Sequence, residues 1–263
     1  MTGKFFGSAW KIILFKDLHH LWVGWKGILF LLIFSLFLSV YTLSLSINPE
    51  INAISQSNWI NLTVRVIVLV GMIVILMLSA NSISGERDNG TLESLLLTPI
   101  KRSHIAIGKT LSILSLWAGM FLISIPYLLL VTKGSNTFIA SLVVLGFLGT
   151  LLVVITALLG GFVSALSSKN ITSFIVSFSI VFALVAPVQL PGKVQQLPSV
   201  NWFISLNPFT AAAKYQNLIL VEGASWIHNV GLLLSPMLIL TFLALSIPFL
   251  LNKYLSLQGG ITN

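Results

Sequence analysis

The sequence has no cysteine among its 263 residues. Disulfide bridges, thiolate catalysis and cysteine-ligated metals are therefore excluded. Charged residues are also scarce, because they make up 8% of the chain, whereas a soluble globular domain carries about 25%. Hydrophobic residues account for 56%, and this composition indicates a membrane protein.

Acidic residues are the scarcer charge, with six against fourteen basic residues and a net charge of +8. No basic face with base-reading side chains accompanies this excess. The basic residues therefore indicate membrane orientation and lipid contact, and they do not favour nucleic-acid binding.

The residues of an intramembrane enzyme are missing from the long apolar stretches. None of the four histidines lies in one, and these stretches hold no His-x-x-x-His pattern and no pair of aspartates. Ion-coupled transport usually needs ionisable groups near the membrane centre. Arg65 is expected at the outer end of its stretch, where it can snorkel, and Lys109 at an inner edge. The energy for any pumping is therefore expected to come from outside this chain.

Six apolar stretches are long enough to cross a bilayer, which takes about 20 residues in a helix. They predict an all-α polytopic membrane protein with six transmembrane helices in one domain, residues 27–263. The stretches are residues 27–47, 62–83, 106–131, 138–167, 171–190 and 231–251.

The Lys and Arg residues predict the orientation of the six spans, because cytoplasmic flanks are enriched in them. An even number of spans puts both termini on one side, and that side collects more of these residues than the other. We therefore predict a multi-pass protein of the cytoplasmic (inner) membrane with both termini in the cytoplasm. The inner set is Lys4, Lys11, Lys16, Lys26, Arg87, Lys101, Arg102, Lys109, Lys169 and Lys253, and the outer set is Arg65, Lys133, Lys193 and Lys214.

Three further segments have readable patterns. Residues 1–26 are too polar to span but rich in aromatic rings, which predicts an N-terminal helix in the membrane interface, with His19 and His20 solvated. Residues 191–230 are too apolar for a free loop and contain three prolines, so one or two short helices are expected at or dipping into the outer leaflet. The fourth span carries a ribbon of small residues that favours close helix packing: Ala157, Gly160, Gly161, Ser164, Ala165 and Ser168.

Three of the six acidic residues lie in one stretch between the second and third spans, "SISGERDNGTLESLLLTPIKRSHIAIGKT" (82–110). The span-two helix is expected to continue through Asp88 and to break at Asn89-Gly90. Thr91 is a plausible N-cap for about two further helical turns before Pro99. Leu92, Leu95 and Leu96 would share one apolar face, and Glu86, Asp88 and Glu93 would remain available to a partner.

Two readings of that stretch compete on spacing alone: a docking element, and a cytoplasmic loop whose apolar face lies on the membrane. A nucleotide site is not one of them. The residues "GKT" at 108–110 end like a phosphate-binding loop, but that motif needs glycine where Ser103 stands. The chain is therefore not expected to be an ATPase.

The stretch "SGERDNGTLESLLLTPIKRSHIAIGKTL" resembles the membrane permeases of type-2 ABC transporters. Their pattern is E-R-x-x-G-T-L-E-x-L-L-x-x-P followed by a basic patch and G-K-x, and residues 86–99 and 108–110 carry it here. The segment "LNPFTAAAKYQNLIL" before the last span is more weakly similar to an N-P-F segment of such permeases. Six spans, cytoplasmic termini and an interfacial helix follow the same family order.

This resemblance implies that residues 84–104 form a cytoplasmic coupling helix that docks on a separate ATPase. The other implied partners are a second permease copy or homologue and a second ATPase subunit, with ATP and Mg bound by the ATPases and no cofactor in this chain. Spans two and five would line the pathway, and export is favoured over import. The residues that carry the coupling and docking role are Glu86, Arg87, Gly90, Thr91, Leu92, Glu93, Leu95, Leu96 and Pro99.

The sequence does not identify the transported substrate. The predicted spans are apolar with scattered Ser and Thr and without a ring of charges, which favours a lipid-like, amphiphilic or neutral cargo over a small ion. A membrane scaffold without transport activity, or a passive channel, is the alternative function, although no charged ring or filter loop is apparent.

Overall fold

The computed structural model describes residues 9–47, 55–92, 94, 97, 102–189, 206–227 and 229–254. Within these residues the chain is helical and has no strand, so the all-α prediction is confirmed there. The predicted site residues Glu93, Leu95, Leu96 and Pro99 lie outside the described residues.

Ten α-helices follow one another along the described chain, and three short π or 3-10 segments join them. The α-helices are α1 Ala9–Trp22, α2 Lys26–Ile47, α3 Gln56–Asn81, α4 Ser84–Asp88, α5 Arg102–Val131, α6 Phe138–Val144, α7 Thr150–Leu166, α8 Asn170–Val185, α9 Pro208–Leu220 and α10 Leu234–Tyr254. The π segment is Leu145–Gly149, and the 3-10 segments are Ala186–Gln189 and Val230–Leu233.

Five stretches of the described chain are long and apolar enough to cross a membrane, in agreement with the first five predicted spans. They are Lys26–Leu45, Gln56–Asp88, Ser103–Val131, Phe138–Leu166 and Asn170–Gln189. The sixth predicted span coincides with α10, a helix of 21 residues. Its apolar part within the searched residues is the shorter stretch Val230–Ser246, so the count of six spans stays a prediction.

Helices α3 and α7 form the centre of the bundle, and small residues let them approach closely. A β-carbon on Gly160 would lie 2.0 Å from Ser79 Oγ and 3.1 Å from the Ala80 backbone nitrogen. Ala157 and Ser164 are also fully or almost fully buried. The predicted small-residue contact is therefore present, but Gly161 is not part of it, because a β-carbon there would meet nothing within 4 Å.

Helix α1 packs along α5, as a close backbone contact at Gly108 shows. A β-carbon on Gly108 would lie 2.9 Å from the Trp10 carbonyl oxygen, and Trp22 Nε1 donates a hydrogen bond to Ser115 Oγ at 3.1 Å. The opposite face is exposed and carries Ile12 and Phe15. The helix predicted in residues 1–26 is confirmed as a helix, while its place in the membrane interface stays a prediction.

Helix α9 is a short helix within the predicted segment 191–230. Asn207 caps its first turn by accepting a hydrogen bond from Phe209 N at 2.9 Å, and Pro208 occupies the first helical position, where a missing N–H does no harm. Asn207 Nδ2 also donates to the Leu184 carbonyl at 2.6 Å. These bonds fix the start of α9 against the end of α8.

The two adjacent glycines of α7 allow a direct test of this packing. Gly160→Ala is expected to destabilise the protein by about 1–3 kcal/mol, because the added methyl group overpacks the contact with Ser79. Gly161→Ala is the matched control and is expected to be neutral or slightly stabilising. Denaturant-induced unfolding in detergent measures both; equal stability of the two variants would show that the α3–α7 contact is not tight.

Candidate functional site

The segment after α3 is held by serine hydroxyl groups at the point where α3 ends. Ser82 Oγ donates to the Ser79 carbonyl and Ser84 Oγ to the Ala80 carbonyl, both at 2.7 Å. Ser164 Oγ of α7 accepts from the backbone nitrogens of Ile83 and Ser84 at 3.0 and 2.9 Å. Since these hydroxyl groups compete with the helical hydrogen bonds, the helix is interrupted at residues 82–83 and resumes as α4. The expected continuous helix through Asp88 is therefore found in two pieces.

A partly buried charge cluster joins α4 to α5 and α1. Lys109 Nζ lies 2.6 Å from Glu86 Oε1 and 3.6 Å from Asp17 Oδ2, and the three side chains are between 10% and 21% exposed. The second carboxylate oxygen of Glu86 is buried without a hydrogen-bond partner. The expectation that Glu86 would be available to a partner is wrong, because its carboxylate is already engaged by Lys109.

Arg87 and Asp88 bond to the turn between α7 and α8. The Arg87 guanidinium donates to the Ser167 carbonyl at 2.5 Å and to the Ala165 carbonyl at 3.3 Å. Asp88 Oδ2 accepts from the backbone nitrogen of Asn170 at 3.2 Å, close to the start of α8, where a carboxylate is favourable. Asp88 was also expected to be available, but it remains exposed while making this bond.

Gly90 ends α4 in the left-handed region, with φ of +70°. The Thr91 nitrogen donates to the Glu86 carbonyl at 2.9 Å and the Gly90 nitrogen to the Arg87 carbonyl at 3.1 Å, which is the pairing of a Schellman cap. The predicted break at Asn89-Gly90 is thus confirmed. Thr91 Oγ1 donates back to the Glu86 carbonyl at 3.2 Å, so its hydroxyl group closes α4.

Leu92 faces the interior of the protein and not an open surface. It is 8% exposed and clusters with Ile83, Ala106 and Ala165. Leu97, five residues later, is 72% exposed. The prediction that placed Leu92 on a docking face therefore needs correction, because the structure uses this side chain to pack the segment against α5 and α7.

Helix α4 is bonded to several neighbouring elements. Its side chains bond Lys109 of α5, the end of α7 and the start of α8. Lys109 in turn contacts Asp17 of α1, and Leu92 clusters with residues of α5 and α7. In the described part of the chain, no group of three or more His, Asp and Glu side chains could hold a metal ion. These bonds tie the segment after α3 to the long helices α5 and α7.

Arg65 is a polar residue whose surroundings sequence reasoning missed. It is the tenth residue of α3, and Nη2 donates to the Ala213 carbonyl of α9 at 3.3 Å. The side chain is only partly exposed and lines a pocket against α9, so it does not snorkel away from the protein as expected. An arginine inside an apolar helix was the available signal, but its partner lies 148 positions away.

The long apolar helices define a polytopic membrane protein. The sequence model of the ABC-2 family transporter proteins matches residues 11–254, which is almost the whole described chain from α1 to α10. The chain therefore belongs to the ABC-2 transporter family, as the resemblance implied, and is a membrane component of an ABC transporter without its own ATP site. A comparison with curated proteins finds no match.

A double-mutant cycle tests whether Glu86 and Lys109 act as one unit. Lys109→Met is expected to cost roughly 1–3 kcal/mol because it leaves two carboxylates without their cation, and Glu86→Gln is expected to cost less. Since both changes break one interaction, the double variant should lose at least about 1 kcal/mol less than the sum. Unfolding in detergent measures the cycle, with Lys133→Met at an exposed lysine as the control. Strict additivity would contradict the pairing.

Proposed function

We propose that the chain is the permease subunit of an ATP-driven exporter of the inner membrane, with both termini in the cytoplasm. Two permeases, identical or homologous, would combine with two cytoplasmic ATPase subunits, which bind the ATP and Mg. The segment 84–104 would contact the ATPase, and its motion would switch the pathway between inward and outward access. The family membership supports the permease role.

The observation that carries this proposal is the set of bonds around α4. A displacement of α4 acts at the same time on α5 and α1 through Lys109, and on the turn before α8 through Arg87 and Asp88. ATP binding favours one access state only if the ATPase contacts the segment differently in the two states. In this mechanism Glu86 and Arg87 transmit the motion, and other residues make the docking contact.

The exposed side of the segment supplies the docking residues. An exposed leucine gains no binding free energy from a charged or polar neighbour, whereas its burial in an apolar cleft of a partner is favourable. Leu97 is the exposed leucine of the described segment, at 72%. The described exposed residues of the segment are Asp88, Asn89, Gly90, Thr91, Ser94 and Leu97.

Substitutions at two leucines of the segment can distinguish an effect on ATPase docking from an effect on folding of the permease. Leu97→Asp is expected to reduce the amount of ATPase that co-purifies with the permease at least about tenfold. The yield and thermal stability of the permease should stay unchanged, because the Leu97 side chain is exposed. Leu92→Asp is expected to lower the yield of the permease itself, since it buries a charge. The measurement is an affinity pull-down from native membranes in mild detergent, with ATP hydrolysis assayed on the eluate.

Normal ATPase recovery with Leu97→Asp would move the docking contact to other residues. Recovery of the wild-type chain without any ATPase would overturn the transporter proposal. The protein would then be better described as a scaffold or a passive channel.

Substitutions at two glycines with similar backbone geometry can distinguish an effect on coupling from an effect of backbone strain. Gly90 and Gly134 have φ of +70° and +88°, and a β-carbon on either would meet nothing within 4 Å. Gly90→Leu and Gly134→Leu should therefore cost a similar strain of about 1–2 kcal/mol, and both proteins should insert into the membrane. Only Gly90→Leu is expected to abolish permease-dependent stimulation of the ATPase, measured as phosphate release from the reconstituted complex. Equal stimulation by both variants would remove Gly90 from the coupling site.

A further inference from the structure

A pocket of about 420 Å³ lies between α3 and α9, away from the α4 segment. Its size falls within the range of small-molecule sites, about 300–1,000 Å³. The lining is unusual for so apolar a chain, because it contains two cations and one carboxylate among polar and aliphatic side chains. The lining residues that bear on the argument are Arg65, Val188, Ala213, Lys214, Asn217 and Glu222.

Arg65 is the innermost charge of this pocket and is incompletely bonded. Its Nη2 donates to the Ala213 carbonyl at 3.3 Å, and its Nε is buried without a hydrogen-bond partner. Among the residues that the structure describes, the ion pairs involve Lys109 and none reaches Arg65. A partly buried guanidinium with an unmet donor is costly, and a planar oxyanion matches its geometry.

The carboxylate at the pocket rim is bonded to an amide group of the pocket wall. Glu222 Oε1 accepts from Asn217 Nδ2 at 3.3 Å, and Asn217 Oδ1 accepts from Asn61 Nδ2 at 2.9 Å. Asn61 lies one helical turn before Arg65 on α3. The amide chain therefore holds Glu222 at the rim, and the pocket keeps one cation in excess, counting Arg65 and Lys214 against Glu222.

A narrow apolar cleft of about 50 Å³ continues from the pocket. The two cavities share Arg65, Val188 and Ala213 in their walls. Beyond these residues the cleft is lined mainly by aliphatic and aromatic side chains, among them Val68, Leu69, Met72, Leu152, Val185 and Phe209. A cleft of this size holds only a few atoms, so a ligand that fits both spaces has a negatively charged end and the first carbons of an apolar chain next to it.

We propose that this pocket binds the anionic headgroup, a phosphate or a carboxylate, of an amphiphile whose apolar chain enters the cleft. Arg65 would hold the oxyanion by paired hydrogen bonds, and Lys214 would attract it at the rim. As a substrate site this rests on the proposed transport function, whereas the binding itself does not.

Binding to the purified full-length permease in detergent tests the proposal without any ATPase. Dioctanoyl phosphatidic acid is the probe; dioctanoylglycerol has the same chains without the phosphate, and inorganic phosphate has the anion without the chains. Phosphatidic acid is expected to bind at least about tenfold more tightly than either. Microscale thermophoresis measures the three affinities.

Four variants locate the site. Arg65→Gln should weaken phosphatidic acid binding at least about tenfold, Arg65→Lys should lose less, and Lys214→Gln a few-fold. Lys133→Gln, at an exposed lysine outside the pocket, should bind as the wild type does. Lys214 is exposed, so its variant keeps the test informative if Arg65→Gln fails to fold.

Three results would overturn the proposal. Unchanged affinity in both Arg65→Gln and Lys214→Gln would place any binding elsewhere. Inorganic phosphate binding as tightly as phosphatidic acid would leave a site for free anions, and dioctanoylglycerol binding as tightly would remove the role of the charge. Absence of an ATPase from the pull-down would contradict the transport function and leave these affinities untouched.

Discussion

The ammonium group of Lys109 is the point on which the arrangement around α4 depends. It contacts carboxylates from two other helices, Glu86 at 2.6 Å and Asp17 at 3.6 Å. These groups are mostly shielded from water, so their attraction is stronger than that of a surface pair and the removal of one member is more costly. Because one cation serves both carboxylates, α1 and α4 keep a fixed relation to α5.

Other residues of the segment attach it to α5 and α7, and a glycine ends its short helix. Arg87 bonds carbonyl groups at and just after the end of α7, and Leu92 clusters with Ala106 and Ala165. Gly90 ends the short helix with a left-handed residue, which lets the chain reverse direction without a steric penalty. The part of the segment before Gly90 is therefore attached to the long helices by a few short contacts.

Local features of this region could be predicted from the sequence, and features that depend on distant residues could not. The apolar lengths locate the first five spans, and the pair Asn89-Gly90 locates the end of α4, because both signals lie within a few residues. Glu86 and Lys109 are 23 positions apart, and nothing in their spacing pairs them. Likewise Leu92 has the periodicity of a docking leucine, but its burial depends on Ala106 and Ala165 from other helices.

The three-way charge cluster also constrains how this sequence can change over evolution. A neutral residue in place of Lys109 leaves two carboxylates close together, and a neutral residue in place of both Glu86 and Asp17 leaves a shielded ammonium group. Either change leaves charges without their counter-charge, so replacements of the cation and of the carboxylates are tolerated best when they occur together. Positions 17, 86 and 109, which lie on three different helices, are therefore expected to vary jointly among relatives, with Gly108 retained beside them wherever α1 approaches as closely as it does here.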